Sequence, residues 1–299
     1  MTATIDRRLS TRTRLLNVGR DLLKLPPLEA ALARQCRAAA DTGSLLWKLV
    51  PNNYQYAAGS VRDFQCNGLN WRVDVSDYIG HCAYFGLDRS MKALFDLARP
   101  DSVVLDIGVN LGWTALNLGK LCSRGQVFGF EPDPENFERF MVNMRLNKLP
   151  NVIVSPVALG AGAGKVSMHV PTPSNRGGNR IGSATREATA SGIPMMTADE
   201  FVAQHQLARV DLIKIDTEGY ELQVLRGASG LLRRFGPVLF VEINDDNLRQ
   251  QGGSANELFD HLRAHGYTHF SDAATRSILS PGESFAGQHF DVIVRVDAP

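Results

Sequence analysis

The sequence predicts an α/β fold: a doubly wound, mostly parallel sheet of about seven strands, preceded by an N-terminal helical extension. Two patterns carry this. Short apolar, β-branched runs recur at 103–107, 126–130, 152–157, 210–216 and 238–243, as strands buried on both faces do. Between them lie segments with apolar residues at helical spacing, several opened by capping signals. A length of 299 residues with 44% hydrophobic content supplies one large core or two small ones.

The first run, Val103-Val104-Leu105-Asp106-Ile107, ends in an acid. It passes through Gly108, Asn110 and Gly112 into a helical pattern of Trp113, Leu116, Leu118 and Leu121. Glycines let backbone approach a ligand, and a helix N-terminus presents free N–H groups. A dinucleotide fingerprint needs G-x-G-x-x-G. Here the spacing is G-x-N-x-G, with Asn110 in the middle place. Close approach of a pyrophosphate is not provided for, and Asp106 repels phosphate. An acid beside a small-residue turn suits a ligand with an ammonium group and no phosphate, of which S-adenosylmethionine (SAM) is one.

The second run, 126–130, leads into Glu131. An acid at the tip of the second strand is the place for a clamp on ribose hydroxyls. Asp133-Pro134 then opens a helix as N-cap and first helical residue. Its apolar face is Phe137, Phe140, Met141 and Met144.

Four blocks now stand in order: DIGVNLG from Asp106, FEPDPENFERFMVNMRLN from Phe130, DLIKIDTEGYELQVLRG from Asp211 and GPVLFVEIN from Gly236. Together they resemble the FkbM family of SAM-dependent methyltransferases over roughly residues 73–296, and DLIKIDTEGYE is the most family-specific block. Val109 stands where the family usually has alanine. The resemblance implies a Rossmann-like class I methyltransferase fold with SAM as methyl donor. It also implies a small polar acceptor, a sugar or a hydroxylated secondary metabolite.

Upstream, residues 1–58 read as the helical extension and 59–299 as the methyltransferase domain. Leu9, Leu15, Leu16, Leu22, Leu23 and Leu25 recur at near-helical spacing, Pro26-Pro27 interrupt them, and 28–47 reads as a second helix. A lid or a homo-oligomer contact is the expectation for these helices. Residues 61–75 alternate about Asn67-Gly68, a type I′ hairpin signal. His81 follows in a segment that folds over the cofactor in doubly wound enzymes, which makes it a candidate base. Residues 88–98 read as a helix stopped by Pro100.

Downstream, Val157 and Ala158 close the third strand, where an adenine ring is flanked. Residues 165–170 read as a short strand. Residues 172–192 are rich in Gly, Ser, Thr, Asn and Arg, too polar for core and long for a connection. Within them Asn175, Arg176, Asn179, Arg180 and Ser183 are candidates to bind the acceptor. Thr197 and Ser254 each open a helix with a capping-box pattern. Lys214 lies inside an apolar strand and needs a partner. Asp216, Glu218 and Glu221 cluster at that strand's C-terminal end, although helix surface is the plainer reading for Glu221. Glu242 and Asn244 come to the same edge, where ligands bind in open α/β sheets. Residues 267–271 and 290–296 supply the last two strands.

Methyl transfer to oxygen needs alignment and a group to take the hydroxyl proton. Asp216 and Glu242 are the leading candidates, with His81 behind them, and Glu218 faces substrate. Asp216, Glu242 and Asn244 also form an oxygen-rich set suited to Mg²⁺, which would acidify a bound hydroxyl. Asp106, Gly108, Asn110 and Gly112 would hold the methionine end of SAM. A nicotinamide-dependent oxidoreductase and a non-catalytic SAM-binding partner protein are the alternatives.

A net charge of +1 supplies no strong field toward nucleic acid or membrane. The four cysteines, Cys36, Cys66, Cys82 and Cys122, form no CxxC pair, which argues for a reducing, cytoplasmic setting. No apolar run reaches the length of a membrane span.

Overall fold

The computed structural model describes residues 11–39, 45–87, 91–170, 174–182, 192–280 and 284–296. Two compact units emerge, 1–63 with 73–89, and 64–72 with 90–299. A two-stranded hairpin, β1 (Val61–Cys66) and β2 (Leu69–Asp74), runs through both. Its turn residues Asn67 and Gly68 have φ of 54° and 68°, the left-handed pair that a type I′ turn requires.

In the first unit, α1 (Thr11–Leu22) and α2 (Pro26–Ala38) are separated by the proline break, and Pro26 sits in the first turn of α2. The expected second helix is shorter than read: it stops at Ala38, and Leu45–Leu49 forms a 3₁₀ turn instead. Buried Glu29 of α2 takes Arg62 as its counter-charge at 2.5 Å. The third helix, α3 (Tyr78–Phe85), is capped by Asp77, whose carboxylate accepts the N–H groups of Ile79 and Gly80.

The second unit opens with α4 (Lys92–Phe95), shorter than the helix expected over 88–98, whose first three residues lie outside the described set. Its centre is one seven-stranded sheet. In chain order its strands are β3 (Val103–Ile107), β4 (Gln126–Phe130), β5 (Val152–Ser155), β10 (Leu212–Ile215), β11 (Val238–Asn244), β12 (His269–Asp272) and β13 (His289–Arg295). In space the order is β12-β13-β11-β10-β3-β4-β5. Only the contacts of β13 with β11 and β12 are antiparallel. Parallel neighbours need crossovers, which α5 (Trp113–Leu121), α6 (Pro134–Asn147), α8 (Glu221–Arg226) and α9 (Ser229–Phe235) supply. Strand order reverses between β3 and β10, whose register pairs Asp106 with Lys214. A crevice opens at such a switch point, beyond the carboxyl ends of the strands. This is the doubly wound, Rossmann-like arrangement.

The third strand is shorter than its sequence run. It leaves the main sheet after Ser155, and β6 (Ala158–Leu159) joins a second, four-stranded sheet with β7 (Gly164–His169), β8 (Arg180–Gly182) and β9 (Ile193–Met196). Pro156 lacks the N–H that the ladder would use next. The polar stretch 172–192 thus contains a strand, and its residues 172–173 and 183–191, Ser183 among them, lie outside the described set. The strand expected at 267–271 begins two residues later. Tyr267 is instead a core residue whose hydroxyl donates to the Pro237 carbonyl at 3.0 Å.

Capping follows sequence. Asp133, Thr197 and Ser254 cap α6, α7 (Ala198–Gln204) and α11 (Ala255–Arg263), while α10 (Asp245–Gln250) is capped by Asn244. Among the described residues no helix is long and apolar enough to cross a membrane.

Phe259 of α11 is 1% exposed and meets Phe270 and Phe285 edge-on at 5.3 and 5.1 Å. Its replacement by alanine leaves a cavity, so Phe259→Ala is expected to lose about 3–5 kcal/mol of unfolding free energy in denaturant titrations.

Candidate functional site

The strand β3 delivers Asp106 to the switch point, fully enclosed. Its Oδ2 accepts the Thr114 hydroxyl at 2.5 Å, and its Oδ1 faces the Lys214 ammonium at 3.5 Å. Burial raises the Asp106 pKa above the usual carboxylate range, with Lys214 and Thr114 opposing. Lys214 is itself 1% exposed and also lies 3.3 Å from Asp216 Oδ2. Burial disfavours its charge, but the carboxylates of Asp216 and Asp106 outweigh that and raise its pKa.

The turn after β3 is wedged between neighbours. Gly108 has φ of 84°, and a Cβ there would stand 1.9 Å from the Asp216 carbonyl oxygen. Gly112 has φ of 96°, and a Cβ would enter the Phe140 ring. Both positions need glycine for conformation and for space. Asn110 also takes a left-handed φ, 51°, and its Oδ1 accepts the N–H of Leu111 at 2.7 Å.

Glu131 stands at the end of β4, 5% exposed. One oxygen accepts the N–H of Asn110 at 2.8 Å and the other that of Asp133 at 2.9 Å. Burial pushes its pKa up to about 7. The first and second acids of the sequence thus share one turn.

One strand away, Asp216, Glu218 and Glu242 bring carboxylate oxygens within 4.8 Å of one another, each side chain half-buried. Glu218 is held at φ 56°, and its Oε2 accepts from Asn247 Nδ2 at 2.9 Å. Glu242 Oε1 lies 2.7 Å from His289 Nε2, while Oε2 is buried with no hydrogen-bond partner. Burial and the charge of Asp216 push the Glu218 pKa up to about 7. Burial, then Asp216 and Glu218, hold Glu242 well above its ordinary range. A carboxylate raised above its ordinary range is a stronger base toward a hydroxyl proton.

One sequence expectation changes here. Glu221 is buried, not helix surface: its Oε1 accepts the N–H groups of Thr217 and Gly219 at 2.9 and 3.0 Å and fixes the loop that carries Glu218. Asn244 caps α10, its Oδ1 accepting from Asn247 N at 3.1 Å. Thr114 and His289 carried no local signal. His289 meets Glu242 only because β13 runs antiparallel to β11.

The segment 174–182 crosses between α6 and α10. Arg176 pairs with Asp133 at 3.3 Å and with Glu135 at 2.8 Å, and Asn179 Nδ2 donates to Asp133 at 3.0 Å. At its other end Arg180 donates to Gln250 at 2.6 Å, and its charge favours the ionised form of Glu218. Ala158 is buried with Val166 and Ile181, and Val157 packs against the main core. Within the first unit, His81 is 5% exposed, with Nε2 2.7 Å from the Pro51 carbonyl oxygen. Burial lowers its pKa, and its ring packs against Phe85 at 4.9 Å.

Glu218 titrates at about 7 in the folded chain against an ordinary 4.5. The folded state therefore holds this proton more tightly, and stability falls as pH rises between those values. Glu218→Gln is expected to shrink that loss by about 1–3 kcal/mol, read from urea unfolding at pH 5 and pH 7.5.

The family model described as "Methyltransferase FkbM domain" matches residues 106–268, from the turn acid to the strand beyond α11. Hexuronic acid methyltransferase AglP of Haloferax volcanii is 30% identical over 156 residues, 52% of this chain and 61% of AglP. The chain thus aligns with less than two thirds of AglP's length. The 2-O-methyltransferase NoeI of Sinorhizobium fredii is 27% identical over 169 residues, 51% of this chain and 67% of NoeI. Among solved structures, Methyltransferase FkbM from Methylobacillus flagellatus is 17% identical, with a TM-score of 0.45, covering 93% of this chain and 60% of that one. M. jannaschii TYW2 in complex with AdoMet is 13% identical with a TM-score of 0.40, covering 80% of this chain and 86% of that one. With its acid–glycine turn, its DLIKIDTEGYE block and more than half its length inside the family model, the chain belongs to the FkbM methyltransferase family.

Proposed function

We propose that the protein transfers a methyl group from SAM to a hydroxyl of a small polar acceptor, a sugar or sugar-like molecule. The observation that carries this is the pairing of two sites on one sheet edge: the turn shared by Asp106 and Glu131, and the trio Asp216, Glu218 and Glu242. Around the turn, Asp106 and Asp216 share the single ammonium of Lys214. The excess negative charge suits a cationic donor and disfavours a phosphate-bearing one, which counts against a nicotinamide cofactor. The printed names of AglP and NoeI, a hexuronic acid methyltransferase and a 2-O-methyltransferase, support a sugar hydroxyl.

SAM bound at the turn supplies an electrophilic methyl group. The backbone of Gly108, Asn110 and Gly112 receives its methionine end, and Asp106 anchors that turn from beneath through Thr114 and Lys214. Glu131 accepts the ribose hydroxyls, using lone pairs left by its two backbone donors. Val157 and Ala158 stand at the adenine side. Asp216 and Glu242 orient the acceptor hydroxyl and take its proton, Glu218 binds a neighbouring hydroxyl, and Asn179 and Arg180 contact the acceptor from the crossing segment.

A divalent metal is the second reading, favoured by the orphaned buried Oε2 of Glu242. Asp216, Glu218 and Glu242 offer the hard oxygen donors that Mg²⁺ takes. If the metal is required, dialysis against EDTA abolishes transfer and Mg²⁺ restores it.

Calorimetry with S-adenosylhomocysteine (SAH) tests the donor site. Wild type is expected to bind, and Glu131→Ala to weaken binding by about tenfold or more, the loss of hydrogen bonds to a charged group. No binding by wild type removes the reading. Because Glu131 is neutral below about pH 7, SAH affinity is expected to fall by up to tenfold per unit below that pH. In Glu131→Gln it is expected to stay flat. With radiolabelled SAM and a panel of hexoside and hexuronoside acceptors, Asp216→Asn and Glu242→Gln are expected to lower kcat by about a hundredfold or more while SAH affinity holds.

A further inference from the structure

Lys214 is the one charged residue inside β10, flanked by buried Leu212, Ile213 and Ile215. Its Nζ is surrounded by four oxygen atoms: the Gly108 carbonyl at 2.6 Å, Asp216 Oδ2 at 3.3 Å, and Asp106 Oδ1 and the Ile107 carbonyl at 3.5 Å. Two of these, the carbonyls of Gly108 and Ile107, accept hydrogen bonds, and the two carboxylates are ion-pair contacts. Compensating the charge of Asp106 would need only one of these contacts. The shortest goes elsewhere, to the first residue of the glycine turn. That residue already presses on the backbone of Asp216 so closely that no Cβ fits.

We propose that Lys214 is a positioning residue: one ammonium fixes the Gly108 carbonyl and the Asp216 carboxylate together. The turn for the methionine end of SAM and the acid facing the acceptor then keep a single spacing. The inference rests on the SAM reading given above. It assigns to Lys214 no contact with donor or acceptor. A neutral side chain leaves the Gly108 carbonyl without its donor and lets the turn relax away from the position that receives the ligand. A purely structural lysine would lose stability on replacement and leave the affinity of the folded protein unchanged.

The experiment measures SAH affinity by calorimetry at 15 °C, and Tm separately, for wild type, Lys214→Met and the core variant Phe259→Ala. Both variants are expected to lose roughly 10 °C in Tm. Lys214→Met is expected to raise the Kd for SAH by about tenfold to a hundredfold, while Phe259→Ala stays within about threefold of wild type, as a distant site should. Equal affinity of the two variants overturns the proposal. Should Lys214→Met not fold, Lys214→Arg decides. Its planar guanidinium keeps the charge but not the compact ammonium, and a Kd raised about tenfold or more supports positioning, whereas wild-type affinity overturns it. Failure of both variants to fold assigns the lysine to the fold alone and also overturns it. Absence of SAH binding by wild type sinks the SAM reading instead, so the two failures are distinct.

Discussion

The structure depends on one buried ammonium where the strand order reverses. Two carboxyl groups and the carbonyl of a left-handed glycine converge on Lys214; the ammonium and Asp106 are enclosed, while Asp216 reaches the rim. Removing any one leaves the others with uncompensated charge or unfilled hydrogen-bond capacity, the costliest defect a protein interior can carry. The glycines are bound by the same constraint. Gly108 is pressed between Asp216 and the end of β4, where its N–H donates to the Phe130 carbonyl at 3.0 Å. The site's chemistry and the sheet's closest packing therefore occupy the same few residues.

Much of this was legible in the sequence. The five parallel strands announce themselves as apolar runs, the four interior ones because a strand covered on both faces has no reason to alternate. Asp106, Glu131, Asp216 and Glu242 break those runs at their ends, and that is where the sheet delivers them. Lys214 was marked by burial cost alone, without its partners. The small sheet of β6 to β9 was not legible as such. Its strands are two to six residues long, and their pairings skip along the chain in a way no local period encodes.

Residues whose roles come from tertiary register were missed for the same reason. His289 begins the last strand among ordinary surface residues, and only antiparallel pairing brings it to Glu242. Asn244 also serves as a helix cap, because a helix begins where its strand ends. An asparagine at that junction is drawn to the free N–H groups of the helix. Glu218 is placed beside Asp216 and Glu242 by a left-handed backbone and the carboxylate of Glu221.

The carboxylate of Glu131 already accepts two main-chain N–H groups, one from each side of the turn. Its rotamer is therefore fixed by the main chain alone. If the proposed nucleoside binds at this rim, it surrenders its own freedom while the protein surrenders little. The rim is in that sense a mould cast in advance, its shape held by peptide groups for as long as the Lys214 ammonium and the two glycines keep the turn in place.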